Sequence, residues 1–119
     1  MELKIVKDPI TIDEIKQLAL DSFIDMVKGA VDIEKAIMVL GGSMHVDAEQ
    51  ALLASGSTQD DIWGINIYPD KSPEDRIQYE SLINIRPRQN NQSMEIQDPV
   101  LRGKIAEIVN GLIKSGLTR

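Results

Sequence analysis

The chain has 119 residues, no cysteine and a formal net charge of −6. This length is typical of a single domain, and the lack of cysteine excludes disulfides and thiolate zinc sites and is compatible with the cytoplasm. The acidic charge argues against nucleic-acid binding, which depends on clustered Lys and Arg. No apolar stretch approaches the roughly 20 residues that a membrane helix needs, so we expect a cytoplasmic protein without a membrane partner.

The N-terminal residues predict a short strand followed by a helix. Leu3–Val6 reads as the strand. Thr11 lies three residues before Glu14, the spacing of a capping box, so we expect a helix from Ile12 to near Asp25. Its apolar residues recur at steps of three and four and form one stripe: Ile12, Ile15, Leu18, Ala19 and Phe23.

The apolar period then changes from that of a helix to that of a strand. Residues 31–33 and 37–39 alternate around Glu34 and Lys35, which predicts two strands joined by a tight polar turn. A continuous helix is the competing interpretation. The density of β-branched residues and the stop at Gly41 and Gly42 favour strands.

Residues 44–54 allow two interpretations. Met44 to Glu49 alternate between apolar and polar residues, which predicts a strand. Alternatively, Asp47 caps a helix with Gln50 at the capping-box position and Gly56 at the end. We favour the strand.

Two further strands are expected, at Ile62–Tyr68 and Tyr79–Arg86. Trp63, Ile65 and Ile67 share one face of the first, and Ile83 and Ile85 share one face of the second. Together these five side chains form a surface that helices can cover.

The C-terminal part begins with a polar loop and continues as a helix. The loop Arg86–Ser93 combines guanidinium and amide donors that could bind an anion, but Asp98 places negative charge next to it, so a solvated, partly mobile connection is favoured. Asp98 and Pro99 are an N-cap and a first-turn proline, which predicts a helix to about Lys114 that Gly116 ends.

These elements predict a single α+β domain over residues 1–119. It contains an antiparallel meander of about five or six strands, with an N-terminal and a C-terminal helix packed on one face. The edges of such a sheet invite a symmetric partner, so we expect a homodimer.

A candidate ligand site follows from the strand interpretation of residues 44–49. The opposite sheet face would then carry polar side chains from three strands, namely His45, Asp47, Glu49, Asn66, Tyr68, Asn84 and Arg86. Histidine and carboxylates can bind metals or act as a general base. We predict no metal site, because three ligands along one strand diverge by roughly 7 Å. A solvated polar face is the simpler interpretation, and a helix at these residues would remove the shared face.

No motif specifies a reaction or a cofactor. A non-enzymatic binding or assembly role is therefore favoured, and the alternative is a small-molecule or metal-binding enzyme that uses the polar face around His45. Four methionines, Met26, Met38, Met44 and Met94, are interpreted as core fillers.

The segments VDIEKAIMVLGG, MHVDAE, GSTQDDIWGINIYPDK, SLINIRPRQNNQSMEIQDP and IAEIVNGLI resemble a family of small prokaryotic proteins classed as a domain of unknown function. The resemblance runs from about Val27 to Ile113. It implies a stand-alone cytosolic domain and assigns no role to any residue.

Overall fold

The fold, described here for residues 2–114 of a computed structural model, is built on a five-stranded antiparallel sheet. Strands β1 (Leu3–Val6), β3 (Val27–Asp32), β4 (Ile37–Gly41), β5 (Ile62–Ile67) and β6 (Ile77–Gln78) lie in the order β1-β4-β3-β5-β6. A second, parallel pair joins β2 (Ile10–Thr11) to β7 (Ile113–Lys114). The helices are α1 (Ile12–Leu20), α2 (His45–Ala54) and α3 (Pro99–Leu112), with 3-10 turns at Gln59–Asp61, Leu82–Asn84 and Pro87–Gln89.

The predicted α+β class is confirmed, with the N-terminal and C-terminal helices packed on the same core. Ile15 of α1 and Ile105 of α3 are buried in one core cluster with Trp63, Ile65 and Ile67 of β5. The predicted shared face of these three β5 residues is thus correct. The second face of the sheet is also covered, because α2 packs Ala48 and Leu52 on it.

The capping box of α1 is confirmed, but the helix ends earlier than predicted. The Glu14 amide donates to Thr11 Oγ1 at 3.1 Å, and the helix begins at Ile12. It ends at Leu20 rather than near Asp25. Ile24 adopts a φ of 76° and its amide turns back to the carbonyl of Ala19, so the chain leaves the helix direction before Asp25.

The predicted hairpin between β3 and β4 is confirmed with longer strands. Asp32 organises its turn, because its Oδ1 accepts hydrogen bonds from the amides of Glu34 and Lys35, both at 2.9 Å. Its Oδ2 accepts a hydrogen bond from Ser57 Oγ at 2.5 Å. A buried carboxylate therefore fixes the turn and ties it to the loop after α2.

The predicted strand at Met44–Glu49 is wrong, because these residues begin α2. Met44 is the N-cap, and Asp47 Oδ2 accepts a hydrogen bond from its amide at 3.1 Å. The alternative interpretation had the correct structure type but placed the N-cap at Asp47, three residues after Met44. Ala48 and Leu52 are four residues apart and share the buried face of a helix, and Gly56, with a φ of 105°, follows its end.

The predicted strand at Tyr79–Arg86 is also wrong. β6 precedes it, and within residues 79–86 the chain forms the 3-10 turn Leu82–Asn84. Ser81 initiates this turn, since its Oγ accepts a hydrogen bond from the Ile83 amide at 3.2 Å. Ile83 consequently packs with the α2 cluster, and Ile85 is exposed.

Helix α3 begins as predicted and ends two residues early. Asp98 Oδ1 accepts a hydrogen bond from the Val100 amide at 2.9 Å, and Pro99 occupies the first turn. The helix ends at Leu112 because Ile113 extends into β7 and pairs with Ile10. Gly116, the predicted stop, lies outside the described residues. Within residues 2–114, no helix has the length and apolar character to cross a membrane.

A substitution at Gly64 tests how closely the segment after β6 must approach the sheet. A Cβ at this position would lie 2.6 Å from Ser81 Cβ. We expect Gly64→Ala to lower the free energy of unfolding by about 1–3 kcal/mol through overpacking, as measured by urea denaturation.

The matched control is Gly103→Ala in α3, where nothing lies within 4 Å of the added carbon. That substitution should raise stability by up to about 1 kcal/mol, because alanine favours helix more than glycine does. Equal stability of the Gly64→Ala and wild-type proteins would contradict the close approach.

Candidate functional site

His45 lies in the first turn of α2 and points into the sheet. Its Nε2 is 2.9 Å from the carbonyl oxygen of Ile65 and 2.8 Å from Asn66 Oδ1. A carbonyl oxygen can only accept, so Nε2 carries the proton and donates. Asn66 continues the network, because its Nδ2 donates to Gln78 Oε1 at 2.8 Å.

Burial keeps the His45 ring neutral near pH 7. Desolvation lowers the pKa of His45 below its ordinary value of 6.5, and the charge of Lys28 adds to this effect, while the bonds to Asn66 and Ile65 oppose it. Nδ1 then keeps a lone pair. It makes no hydrogen bond with any residue in the described part of the chain, and so it remains available as an acceptor.

An apolar pocket lies beside His45, between the start of α2 and the segment after β6. Its volume is about 390 Å³. The lining consists of one imidazole, a few polar groups and many apolar side chains: Met26, Lys28, Met44, His45, Val46, Asn66, Glu80, Ser81, Leu82, Ile83 and Met94. Three of the four methionines interpreted as core fillers therefore line this pocket, and only Met38 is fully buried in the core.

The side chain of Asn84 acts as a strand substitute, because it makes the hydrogen bonds that a neighbouring strand would make to Gly64 of β5. Its Oδ1 accepts a hydrogen bond from the Gly64 amide at 2.8 Å, and its Nδ2 donates to the Gly64 carbonyl at 3.0 Å. The side chain is fully buried. A single side-chain amide thus satisfies both the N–H and the carbonyl group of Gly64, which is a structural role.

Arg86 completes the same edge nearer the start of β5. Its guanidinium donates to the carbonyls of Gln59, Ile62 and Ile83, and stacks on the Trp63 ring with its carbon 4.4 Å from the ring centre. Burial lowers the pKa of Arg86, while the charges of Glu49 and Asp60 oppose the shift.

The loop Arg86–Ser93 is more structured than the predicted solvated connection. Asn91 is buried at its centre and donates from Nδ2 to the carbonyl of Asn84 at 2.8 Å, and its Oδ1 accepts from the Gln97 amide. Arg88 pairs with Asp60 at the surface. The Arg86 donors bind carbonyls, so the geometry gives no support to an anion site here.

The three predicted site residues on α2 point in two directions. Residues four apart share a helix face, so His45 and Glu49 both face inward, His45 to Asn66 and Glu49 toward Arg86. Asp47 faces elsewhere and binds the Met44 amide. The shared strand face of His45, Asp47 and Glu49 does not exist. No group of three His, Cys, Asp or Glu side chains among residues 2–114 could hold a metal ion.

Sequence reasoning missed the pocket because its lining residues come from distant segments. Met44 and Leu82 have exposed fractions of 56% and 68%, and Met94 is also exposed. A cluster of partly exposed methionines is a signal only once α2 and the 3-10 turn are placed side by side.

Asn84→Asp tests the role of Asn84 as a strand substitute. The aspartate would lose the donations to Gly64 and Met94 and would place a carboxylate beside their carbonyl oxygens. We expect the free energy of unfolding at pH 7 to fall by about 3 kcal/mol or more. Asn90→Asp, at an exposed residue of the loop Arg86–Ser93, is the control and should change stability little. Similar losses in both variants would contradict the assigned role.

The state of His45 can be titrated directly because it is the only histidine. Its imidazole NMR signals should give a pKa below 6.5. The unfolded chain then binds this proton more readily than the folded protein, so the His45 contribution lowers stability as pH falls from about 6.5 toward the lowered pKa. Denaturation of wild type and His45→Gln across this range should isolate that contribution. A pKa at or above 6.5 would contradict the buried, neutral ring.

Comparison with known proteins gives one match. A family model described as "Protein of unknown function (DUF5674)" covers residues 4–112. Neither the curated proteins nor the solved structures contain a significant match.

Proposed function

Since the chain belongs to the DUF5674 family of proteins of unknown function, we propose from its own residues that it is a non-enzymatic binding module. Its ligand places an apolar group in the pocket beside His45. The observation that carries this proposal is a pocket of about 390 Å³ lined by three methionines around a neutral histidine.

The apolar lining supports binding because it is open to solvent. Exposed apolar side chains are ordinary when isolated, but a contiguous group marks an interaction site. Met44, Leu82 and Met94 are exposed and line the same pocket. Methionine is flexible and polarizable, which makes it suited to surfaces that adapt to a partner.

The polar groups of the pocket give the ligand an orientation. Binding pockets combine an apolar lining with a few placed polar groups. Here His45 Nε2 is held by Ile65 and Asn66, so its Nδ1 is a fixed acceptor. The ligand is therefore expected to combine an apolar body with an N–H or O–H donor.

The neutral imidazole also supports a second candidate, an enzyme with His45 as general base. Against this, no carboxylate within residues 2–114 binds His45, and its partners are a carbonyl and an amide. Binding is therefore favoured over catalysis. Recovery of a bound compound in altered form would reverse this order.

The homodimer and the cytoplasmic location remain proposals. Edge strand β1 exposes Leu3 and Ile5, which supports pairing with a second copy, whereas Lys4 on the same short edge opposes it. The cysteine-free composition supports a reducing compartment. The net charge of −6 supports a partner other than nucleic acid.

Methionine methyl NMR tests the pocket with indole, an apolar ring that carries one N–H donor. We expect saturable shifts of the Met26, Met44 and Met94 methyl signals, because these side chains line the pocket. Met38 is fully buried in the main core and serves as the internal reference.

Two variants give the test its specificity. Met94→Asp should weaken indole binding about tenfold or more, since it places a charge in the apolar lining. Val100→Asp changes an exposed apolar residue on α3 and should leave the binding unchanged. The proposal fails if indole produces no saturable shift, or if it moves Met38 as much as the pocket methionines.

A further inference from the structure

The pocket beside His45 has one positive and one negative side chain in its lining. These are Lys28 and Glu80, and both are partly exposed. Within residues 2–114 neither of them forms an ion pair, and the Glu80 carboxylate accepts no hydrogen bond. The Lys28 ammonium lies 5.0 Å from the centre of the Phe23 ring. Both charges can therefore pair with a ligand.

The two charged residues lie on opposite sides of Asn66. Lys28 of β3 is the cross-strand partner of Asn66 of β5, so the two side chains share a face of the sheet. On the side of β6, Asn66 Nδ2 donates to the carbonyl oxygen of Glu80 at 3.3 Å. His45 donates to Asn66 Oδ1 from above this row. A cation, an imidazole and an anion thus surround one apolar cavity.

The free nitrogen of His45 is open to this cavity. Among the described residues, the side-chain polar atoms that are fully buried without a partner are Glu49 Oε2 and Trp63 Nε1. His45 Nδ1 also has no partner there but is not fully buried, and His45 lines the pocket. The charge of Lys28 lies close enough to the ring to lower the pKa of His45.

We propose that this pocket binds a free α-amino acid with a large apolar side chain, an inference that rests on the binding function proposed above. The carboxylate of the ligand accepts a hydrogen bond from Lys28. The ammonium of the ligand donates to Glu80 and to His45 Nδ1. The apolar side chain of the ligand contacts Met44 and Met94.

The pair of unpartnered charges favours a ligand that carries both signs. A ligand with only a carboxylate would pair with Lys28 but would be repelled by Glu80. A ligand with only an ammonium would pair with Glu80 but would be repelled by Lys28. An amino acid at neutral pH satisfies both, and partly buried charges are screened by salt less than exposed ones.

The size of the cavity suits one amino acid. Its volume of about 390 Å³ lies near the lower end of the range for small-molecule pockets, roughly 300–1,000 Å³. Met44, Leu82 and Met94 are exposed at its margin. Because methionine side chains are flexible, they can adapt to the side chain that enters.

Four ligands that share the indole ring test the two charges separately. Tryptophan carries an ammonium and a carboxylate, tryptamine carries the ammonium alone, indole-3-propionate carries the carboxylate alone, and indole carries neither. We expect tryptophan to bind about tenfold more tightly than each of the others, as measured by titration of the methionine methyl signals.

The outcomes of this series separate the two proposals. If indole binds and tryptophan binds no more tightly than any of the other three ligands, the amino-acid proposal is wrong and the binding function stands. If none of the four ligands gives a saturable shift, both proposals are wrong.

A fifth ligand distinguishes a free amino acid from a residue within a protein chain. N-acetyltryptophanamide has the same side chain, but its ammonium and carboxylate are replaced by neutral amides. We expect it to bind about as weakly as indole. Affinity equal to that of tryptophan would contradict a site for the free amino acid.

Two variants assign each charge of the ligand to its partner. In Lys28→Gln, tryptophan should bind no better than tryptamine, because the carboxylate has lost its cation. In Glu80→Gln, tryptophan should bind no better than indole-3-propionate. Both variants should bind indole as the wild type does, which shows that the apolar cavity is intact.

The matched controls are Lys104→Gln and Glu107→Gln, at exposed residues of α3. Each removes a charge of the same sign as its counterpart in the pocket and should leave the whole ligand series unchanged. Full preference for tryptophan in both Lys28→Gln and Glu80→Gln would overturn the proposal.

Discussion

The outer edge of β5 is the constraint on which the second half of the fold depends. β3 pairs with the whole inner edge, but β6 reaches only Asn66 and Ile67 on the outer edge. The remaining buried backbone groups need partners. Asn84 and Arg86 provide them from side chains, and this fixes the chain between β6 and α3 against the sheet. Gly64 lacks a side chain where this segment approaches most closely.

The pocket beside His45 is a consequence of these side-chain contacts. A longer β6 would have made these contacts through its backbone groups. Because side chains make the contacts instead, the backbone curves through the 3-10 turn Leu82–Asn84 and holds Leu82 and Ile83 above the sheet. The same residues then line the pocket beside His45. The hydrogen bonds to the edge of β5 and the pocket beside His45 therefore depend on the same path of the chain.

Local signals predicted the elements whose structure depends on neighbouring residues. The Thr11 and Glu14 capping box, the hairpin closed by Asp32, and the Asp98 and Pro99 start of α3 all have hydrogen bonds within three residues. Residues 44–54 were different, because their alternation fits a strand and their alanines and leucines fit a helix. The burial of Ala48 and Leu52 on distant strands decides between them. The contacts of Asn84 and Arg86 with β5 span about 20 residues and have no local pattern.

Residues 45–49 form a helix rather than the predicted strand. The candidate site therefore keeps His45 and Glu49, but their surroundings and chemistry differ from the prediction. On a strand, His45, Asp47 and Glu49 would have formed one polar face exposed to water. On α2, the four-residue spacing buries His45 and Glu49 and leaves Asp47 at the helix start. Burial makes the histidine neutral, and it leaves one oxygen of Glu49 without a hydrogen-bond partner among residues 2–114. The imidazole of His45 therefore lines an apolar pocket, whereas the carboxylate of Asp47 accepts the hydrogen bond of the N-cap amide.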